Sequence, residues 1–470
     1  MQTLLYSEEN TLNRKVRIIG QDRLISNGRL AADRRARRLC LDALEQALAA
    51  VDPQRSVDAY LRLSRGRIQV CGFSIKTLPK VRVIAVGKAS YSMLAKALTI
   101  LGKHVISGTL VAPKGENVIS RDERITTFHT GHPIPDAEGL RASRHVLASI
   151  ERMGSDEVLF CLISGGASAM LPAPTRDITL DDKRRITKLL IRSHASIHEV
   201  NTVRRHLSEL KGGRLVEHCR ASQIISLIIS DVPGNTLCDI ASGLTTPDPT
   251  TFRDAIDVLK EFRVWDDTPR SIKTHLKRGL AGGIPDTPKE GDRIFEKVRN
   301  VIVADNRSAC EAASKALNRR RTSATVLTSS VNMDARSLGR LLASIAKYKE
   351  TSGKHAPRAL ILGGETTVEV RGRGKGGRNQ EVALAALTEI ADLRGVAIAA
   401  LGTDGIDGDS PAAGALVDGE SLSRATRLGL DVRKFMVRND SYSFFRKLGD
   451  SIITGRTGTN VSDIYLLVTA

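Results

Sequence analysis

Several apolar runs in this 470-residue chain end in glycine followed by a side chain that can do chemistry. VRVIAV leads into Gly87, Lys88, Ala89 and Ser90, and LFCLI into Ser164, Gly165, Gly166, Ala167 and Ser168. LIIS leads into Asp231, ALIL into Gly363, Gly364 and Glu365, and IAAL into Gly402, Thr403 and Asp404. Turns between strands and helices need glycine anyway, so any one of these loops has a plain structural explanation. Their recurrence points to a site, because one end of an α/β sheet collects such loops.

Each loop suggests a role. Paired glycines in Ser164–Ser168 let backbone N–H groups approach an anion, with hydroxyls on either side. Lys88, at a strand-to-helix turn, can set its ammonium on a phosphoryl oxygen. Asp231 and Asp404 each follow an apolar strand, where an acid can hold Mg²⁺ or take a proton from a hydroxyl. Glu365 and Asp407 are further candidates for substrate or metal contact. The loop around Lys88 is not a Walker A loop, since position 82 is arginine and alanine follows the lysine.

The segment GRGKGGRNQE matches GxGxxG at Gly372, Gly374 and Gly377. A dinucleotide site needs a buried parallel strand before those glycines. TTVEVR alternates apolar and polar residues, as a half-exposed antiparallel strand does. With Arg373, Lys375 and Arg378 in it, the loop reads better as an anion clamp, and Arg378 suits a bidentate contact. Among the histidines, His132 in TGHPIPD is the one with a candidate role, and bracing a loop is the commoner use of such a residue.

The elements that must position these residues are short β-branched runs alternating with amphipathic helical stretches. Strands are predicted at VRVIAV from Val81, VISGTLV from Val105, EVLFCLI from Glu157, IISLIIS from Ile224 and NVIVA from Asn300. ATVLT from Ala324, ALILGG from Ala359, VAIAAL from Val396 and IYLLV from Ile464 complete the set. Helices are predicted over 91–101, 180–193, 335–347 and 380–393. The alternation implies an α/β protein with parallel or mixed sheets covered by helices. The polar stretch RGLAGGIPDTPKEGD from Arg278 to Asp292 is the predicted boundary between a larger N-terminal and a smaller C-terminal domain. Residues 1–30 read as an extension before the first helix.

The formal charge of +19 attracts anions in general. It is spread along the chain, and its one dense patch, Arg14 to Arg38, merges into a helix whose leucines face a core. No nucleic-acid motif accompanies it, and a solvated face is the better reading. The cysteines, Cys40, Cys71, Cys161, Cys219, Cys238 and Cys310, form no CxxC pair, which argues against a disulfide framework and a zinc site. MQTLLYSEEN lacks the apolar stretch of a signal peptide, and no run approaches a membrane span, so a cytoplasmic location is expected.

The quoted segments, taken in order, resemble the class II glycerate 2-kinases, whose C-terminal part is called the MOFRL domain. AVGKAS at 85–90, GHPIPDAEG at 131–139, LISGGASAM at 162–170 and HEVNTVRRHLSELKGGRL at 198–215 carry the first half. ISDVPGN at 229–235 and IASGLTTPDPTTF at 240–252 complete it. GGETTVEVRGRGKGGRNQEVALAAL at 363–387, GTDGIDGDSPAAGA at 402–415 and TGTNVSDIYLLV at 457–468 carry the second. The resemblance implies a Rossmann-like domain over 31–298 and a MOFRL-type α/β domain over 299–470, with the active site in the cleft between them. It implies transfer of the ATP γ-phosphoryl group to the 2-hydroxyl of D-glycerate, with Mg²⁺ or another divalent cation. It further implies a catalytic pair at Lys88 and Arg378, with Asp231 beside them, and phosphate contacts from Ser164–Ser168, Asn201 and Lys211. Two positions depart from the family pattern, Ala167 for a glycine and Asn235 for an aspartate. A methyl at 167 is strained only at positive φ, and Asn235 keeps an oxygen but loses a charge.

The expected partners are D-glycerate and ATP, without specific nucleic acid or membrane, and a homodimer is left open. Rival readings are an NAD(P)H-dependent hydroxypyruvate reductase built on the GxGxxG loop, a kinase for a related short hydroxy acid, and a non-catalytic anion- or nucleic-acid-binding protein that exploits the +19 charge.

Overall fold

A strand covered on both faces needs apolar side chains on both sides, which is why the β-branched runs become the central strands. The protein is described by a computed structural model covering residues 17–64, 66–75, 80–115, 118–352 and 357–470. MQTLLYSEEN and Arg14 of the basic patch lie outside the described residues. The chain divides into two compact units, one of residues 53–305 and one of 1–52 with 306–470.

In the unit of residues 53–305, β1 (Leu61–Ser64), β2 (Arg67–Val70) and β3 (Phe73–Ile75) make a small antiparallel sheet. β4 (Lys80–Val86), β5 (Val105–Pro113), β6 (Ile125–Thr130), β7 (Glu157–Ile163), β8 (Gln223–Ile229) and β9 (Val298–Ala304) form one parallel sheet. Its order, β6-β5-β4-β7-β8-β9, is that of a Rossmann fold, and it reverses direction between β4 and β7. All of β7 is buried. Helix Ser90–Leu101 packs on β4 and β5, and helix Ala137–Glu151 on β6. A second apolar cluster, with Ile186, Val203, Phe252, Leu259 and Leu276, joins the helices between β7 and β9.

The other unit holds a mixed sheet of β10 (Ala324–Asp334), β11 (Ala359–Thr367), β12 (Val396–Gly402), β13 (Gly414–Asp418), β14 (Ser451–Ile452) and β15 (Asp463–Thr469). The order is β10-β11-β15-β12-β13-β14, and only β10 and β11 run parallel. Helix Arg378–Glu389 contributes a nearly continuous buried stretch from Asn379 to Leu387 to its core.

Both predicted domain limits need correction. The boundary predicted at 278–292 is too early, because β9 pairs with β8 and completes the parallel sheet. Helix Ala31–Ala50, expected in the N-terminal domain, packs instead on β12, β15 and helix Asn306–Arg319. Its buried Arg37 donates to Asp418 Oδ2 at 2.8 Å and also bonds Asp450. A fully buried guanidinium is tolerable only with such partners. Residues 17–30 are likewise not a detached extension, since the Ile18 amide donates to Glu45 at 2.9 Å and Leu24 and Ile25 are buried.

Cys161 is free and buried within β7, and burial pushes its thiol pKa up. Among the described residues no helix is long and apolar enough to cross a membrane.

Candidate active site

Adjacent parallel strands deliver the first group. Lys88 follows β4, the Ser164–Ser168 loop follows β7, and Asp231 follows β8. Since β4, β7 and β8 are neighbours, these residues gather at the carboxyl edge where the strand order reverses. Parallel sheets bind ligands in that crevice.

The two glycine loops are built into each other. The Lys88 amide donates to Gly165 O at 2.9 Å, and the Ala89 amide to Ser164 Oγ at 3.0 Å. Gly87 has φ +116°, and a Cβ there would stand 2.4 Å from Ser164 O, so only glycine allows this approach. Gly166, at φ +89°, lies under the His132 ring, and a Cβ would come within 2.9 Å of it. His132 therefore braces the loop. The amides of Gly165 and Gly166 donate to no acceptor among the described residues, although Gly165 is buried. Buried N–H groups seldom go unmatched, and here they suit an anion.

The departures from the family pattern are accommodated. Ala167 opens the short helix Ala167–Met170, where a methyl is unstrained. Asn235 has φ +57°, a region that asparagine tolerates, and donates Nδ2–H to Asp305 Oδ2 at 2.6 Å. Its amide nitrogen is thus spent on an acid.

Asn201 and Lys211, expected at the phosphates, are each about 1% exposed. Asn201 accepts from Ser242, whose hydroxyl also bonds Ser168, so it props the loop through one intermediate. Lys211 donates to Leu171 O at 2.9 Å just past the loop. Both are corrected from phosphate contacts to supports of the loop. Burial, reinforced by Arg204, lowers the Lys211 pKa to about 7. Because an unfolded lysine titrates near ~10.4, the unfolded chain carries the extra proton from pH 7 to 10. Folding stability is therefore expected to rise with pH across that window. Lys211→Met should flatten the rise in urea unfolding between pH 7 and 9, and an unchanged slope would exclude Lys211 as its source.

The second group belongs to the other unit. Arg378 starts helix Arg378–Glu389 and reaches β15, where its Nε and Nη2 donate to Asp463 at 2.5 and 3.2 Å. Its Nη1 bonds Glu365 of β11. Burial opposes the Arg378 charge, but Asp463 and Glu365 outweigh it and hold the pKa above its ordinary value. Burial likewise raises Asp463 to about 6 even though Arg378 pulls it down. Tyr465 donates to the same carboxylate at 3.1 Å. Asp463 was not singled out from sequence, and its only signal was an acid directly before the apolar run IYLLV.

Asp404 follows β12, is partly buried, and accepts from the Ile406 amide at 3.1 Å. Asp407 departs from expectation. It is 2% exposed and accepts from the backbone and side-chain nitrogens of Asn379 and Gln380 at 2.8–3.2 Å. Its oxygens anchor the first turn of the Arg378 helix, which leaves none for a metal or substrate.

The GxGxxG loop is not a dinucleotide cradle. Of TTVEVR only Thr366 and Thr367 belong to a strand, β11, which runs parallel to β10 and antiparallel to β15, so the half-exposed antiparallel strand predicted there is found only in part. The amides of Arg371 and Gly372 donate to Asn439, that of Gly374 to Arg438 O, that of Lys375 to Asp440 and that of Gly376 to Asp409. None of these is left for a pyrophosphate.

Comparison with known proteins identifies the family. The chain matches the family described as a domain of unknown function (DUF4147) over residues 39–277 and the MOFRL family over 358–463. It is 38% identical to a glycerate 2-kinase of Pyrococcus horikoshii, over 92% of this chain and 97% of that protein. A putative hydroxypyruvate reductase of Agrobacterium vitis is 36% identical, over 91% and 93% respectively. The crystal structure of a glycerate kinase from Thermotoga maritima matches with a TM-score of 0.79 at 33% identity, covering 92% of this chain and 99% of that one.

Proposed function

The chain belongs to the glycerate 2-kinase family, and from that premise we propose that it moves the γ-phosphoryl group of ATP to the 2-hydroxyl of D-glycerate, giving 2-phosphoglycerate and ADP. The observation that carries the chemistry is the pair of unmatched amides at Gly165 and Gly166, beside Lys88, where the parallel sheet reverses. Amides and a lysine at that place suit the phosphates of a nucleotide.

Phosphoryl transfer asks the protein mainly for positioning and for charge stabilisation. Lys88 and the Ser164–Ser168 loop hold the phosphates, and the Lys88 ammonium meets the charge on the transferring oxygens. Asp231 stands at the same sheet edge, where a carboxylate accepts the proton of the attacking hydroxyl. Arg378 clamps the anionic group of the substrate. Mg²⁺ fits this donor set, because it usually takes one or two carboxylates and leaves the rest to phosphates and water. Asp231 or Asp404 would hold the ion, the Glu365 carboxylate being taken up by Arg378, and the bound ion would neutralise phosphate charge.

A reductase reading takes its support from the name of the Agrobacterium relative. The spent amides of Arg371, Gly372, Gly374, Lys375 and Gly376 count against it. ADP release measured across a panel of short hydroxy acids, beside NADH oxidation with hydroxypyruvate, separates the two. D-Glycerate should give the highest kcat/KM of the panel and hydroxypyruvate no NADH oxidation. The opposite pattern would reverse the assignment.

A further inference from the structure

Arg378 is held by carboxylates of two kinds. Asp463 fills the Nε–Nη2 edge with both of its oxygens, and its side chain is 2% exposed and braced by Tyr465. Glu365 bonds Nη1 from a side chain that is 47% exposed. A guanidinium can meet an anion with paired bonds along either of two edges. One edge is closed by a carboxylate that cannot leave without stranding a buried charge. On the other, Nη1–Nη2, Glu365 occupies one end, and an exposed pair of that kind is weak enough to exchange.

We propose that Glu365 is an internal carboxylate occupying the anion seat of Arg378, displaced by the carboxylate or phosphate group of the incoming substrate, while Asp463 stays in place and fixes the plane of the fork. Glu365 is thus a competitor that sets substrate affinity, and Asp463 is a positioning residue. The inference rests on the reading of Arg378 as the anion clamp of the kinase site.

Glu365→Gln keeps the shape and removes the competing charge. The KM for one substrate should fall roughly two- to fivefold, with kcat held within about twofold. A lower KM for D-glycerate assigns the seat to the carboxylate, and a lower KM for ATP assigns it to a phosphate. Calorimetric titration of the full chain with D-glycerate and with ATP should show the same tightening without turnover. Asp463→Asn should act in the opposite sense, raising that same KM, and Asp463→Glu should recover part of the loss. Arg378→Ala, assayed alongside, separates the two levels of the argument. If it keeps near-full activity, the clamp reading itself fails. If it is inactive while Glu365→Gln leaves both KM values and both titrations unchanged or weaker, the exchange is overturned and the clamp stands. A loss of kcat in Glu365→Gln at unchanged KM would also overturn it and place Glu365 in the chemistry.

Discussion

Arg378→Ala is expected to lower kcat/KM by roughly 10³-fold or more, the scale on which phosphoryl-transfer enzymes depend on a transition-state arginine. The fork is already oriented by Asp463 at 2.5 and 3.2 Å, so little reorganisation precedes the reaction. Arg378→Lys keeps the charge but loses the planar pairing, and should recover only part of the activity. The alanine variant should still fold. Asp463 already titrates near 6, and without its partner it rises further and becomes neutral, still bonded by Tyr465. Its folded pKa then lies far above the unfolded value of ~3.9, so the folded state binds the extra proton. Stability should fall as pH rises through that window, which starts near 4, ends near 6 in the parent and extends higher in Arg378→Ala. A folded Arg378→Ala protein with near-parental kcat/KM would remove Arg378 from the site.

Lys88→Ala should lower kcat by about 10²–10³-fold, with a smaller rise in the KM for ATP. The substitution spares the loop geometry. The bonds that lock the two loops come from the Lys88 and Ala89 amides, and truncating the lysine side chain leaves both in place. The loss is therefore not one of loop geometry. Steady-state rates against ATP at saturating D-glycerate, with a thermal unfolding control, measure it. An unchanged kcat would exclude Lys88 from charge stabilisation and shift that role to the loop amides.

Much of this arrangement is legible in the sequence because the chemistry sits where strands end. The runs at VRVIAV and EVLFCLI are apolar on both faces, which fixes them as buried parallel strands and fixes where Lys88 and Ser164 emerge. The edge strand β6 escapes notice because ITTFHT carries threonine and histidine toward a half-exposed side. β13 escapes because GALVD is short and part glycine and alanine. The destination of helix Ala31–Ala50 is illegible for another reason. Its leucines declare a buried face, but only the partners of Arg37, Asp418 and Asp450, tell which sheet receives it, and they lie hundreds of residues away.

The candidate site residues divide along the same line. Lys88, Asp231 and Arg378 are marked by local sequence, while Asp407 is misread by it. An acid between glycines looks like a metal ligand until the helix it caps is seen. Asn201 and Lys211 show the reverse error, since a polar side chain in a glycine-rich region looks like a ligand contact when it is buried as a brace. Asp463 is barely marked, because an acid at the start of a strand is commonplace and its value comes from the arginine that opens helix Arg378–Glu389.

The most direct test of the account is the identity of the product. Incubating the full chain with ATP, Mg²⁺ and D-glycerate and following the mixture by phosphorus and carbon NMR reads both the transfer and its position. The account predicts ADP and a single phosphomonoester coupled to C2 of glycerate. A phosphate coupled to C3, or ATP left intact beside unchanged D-glycerate, would contradict it.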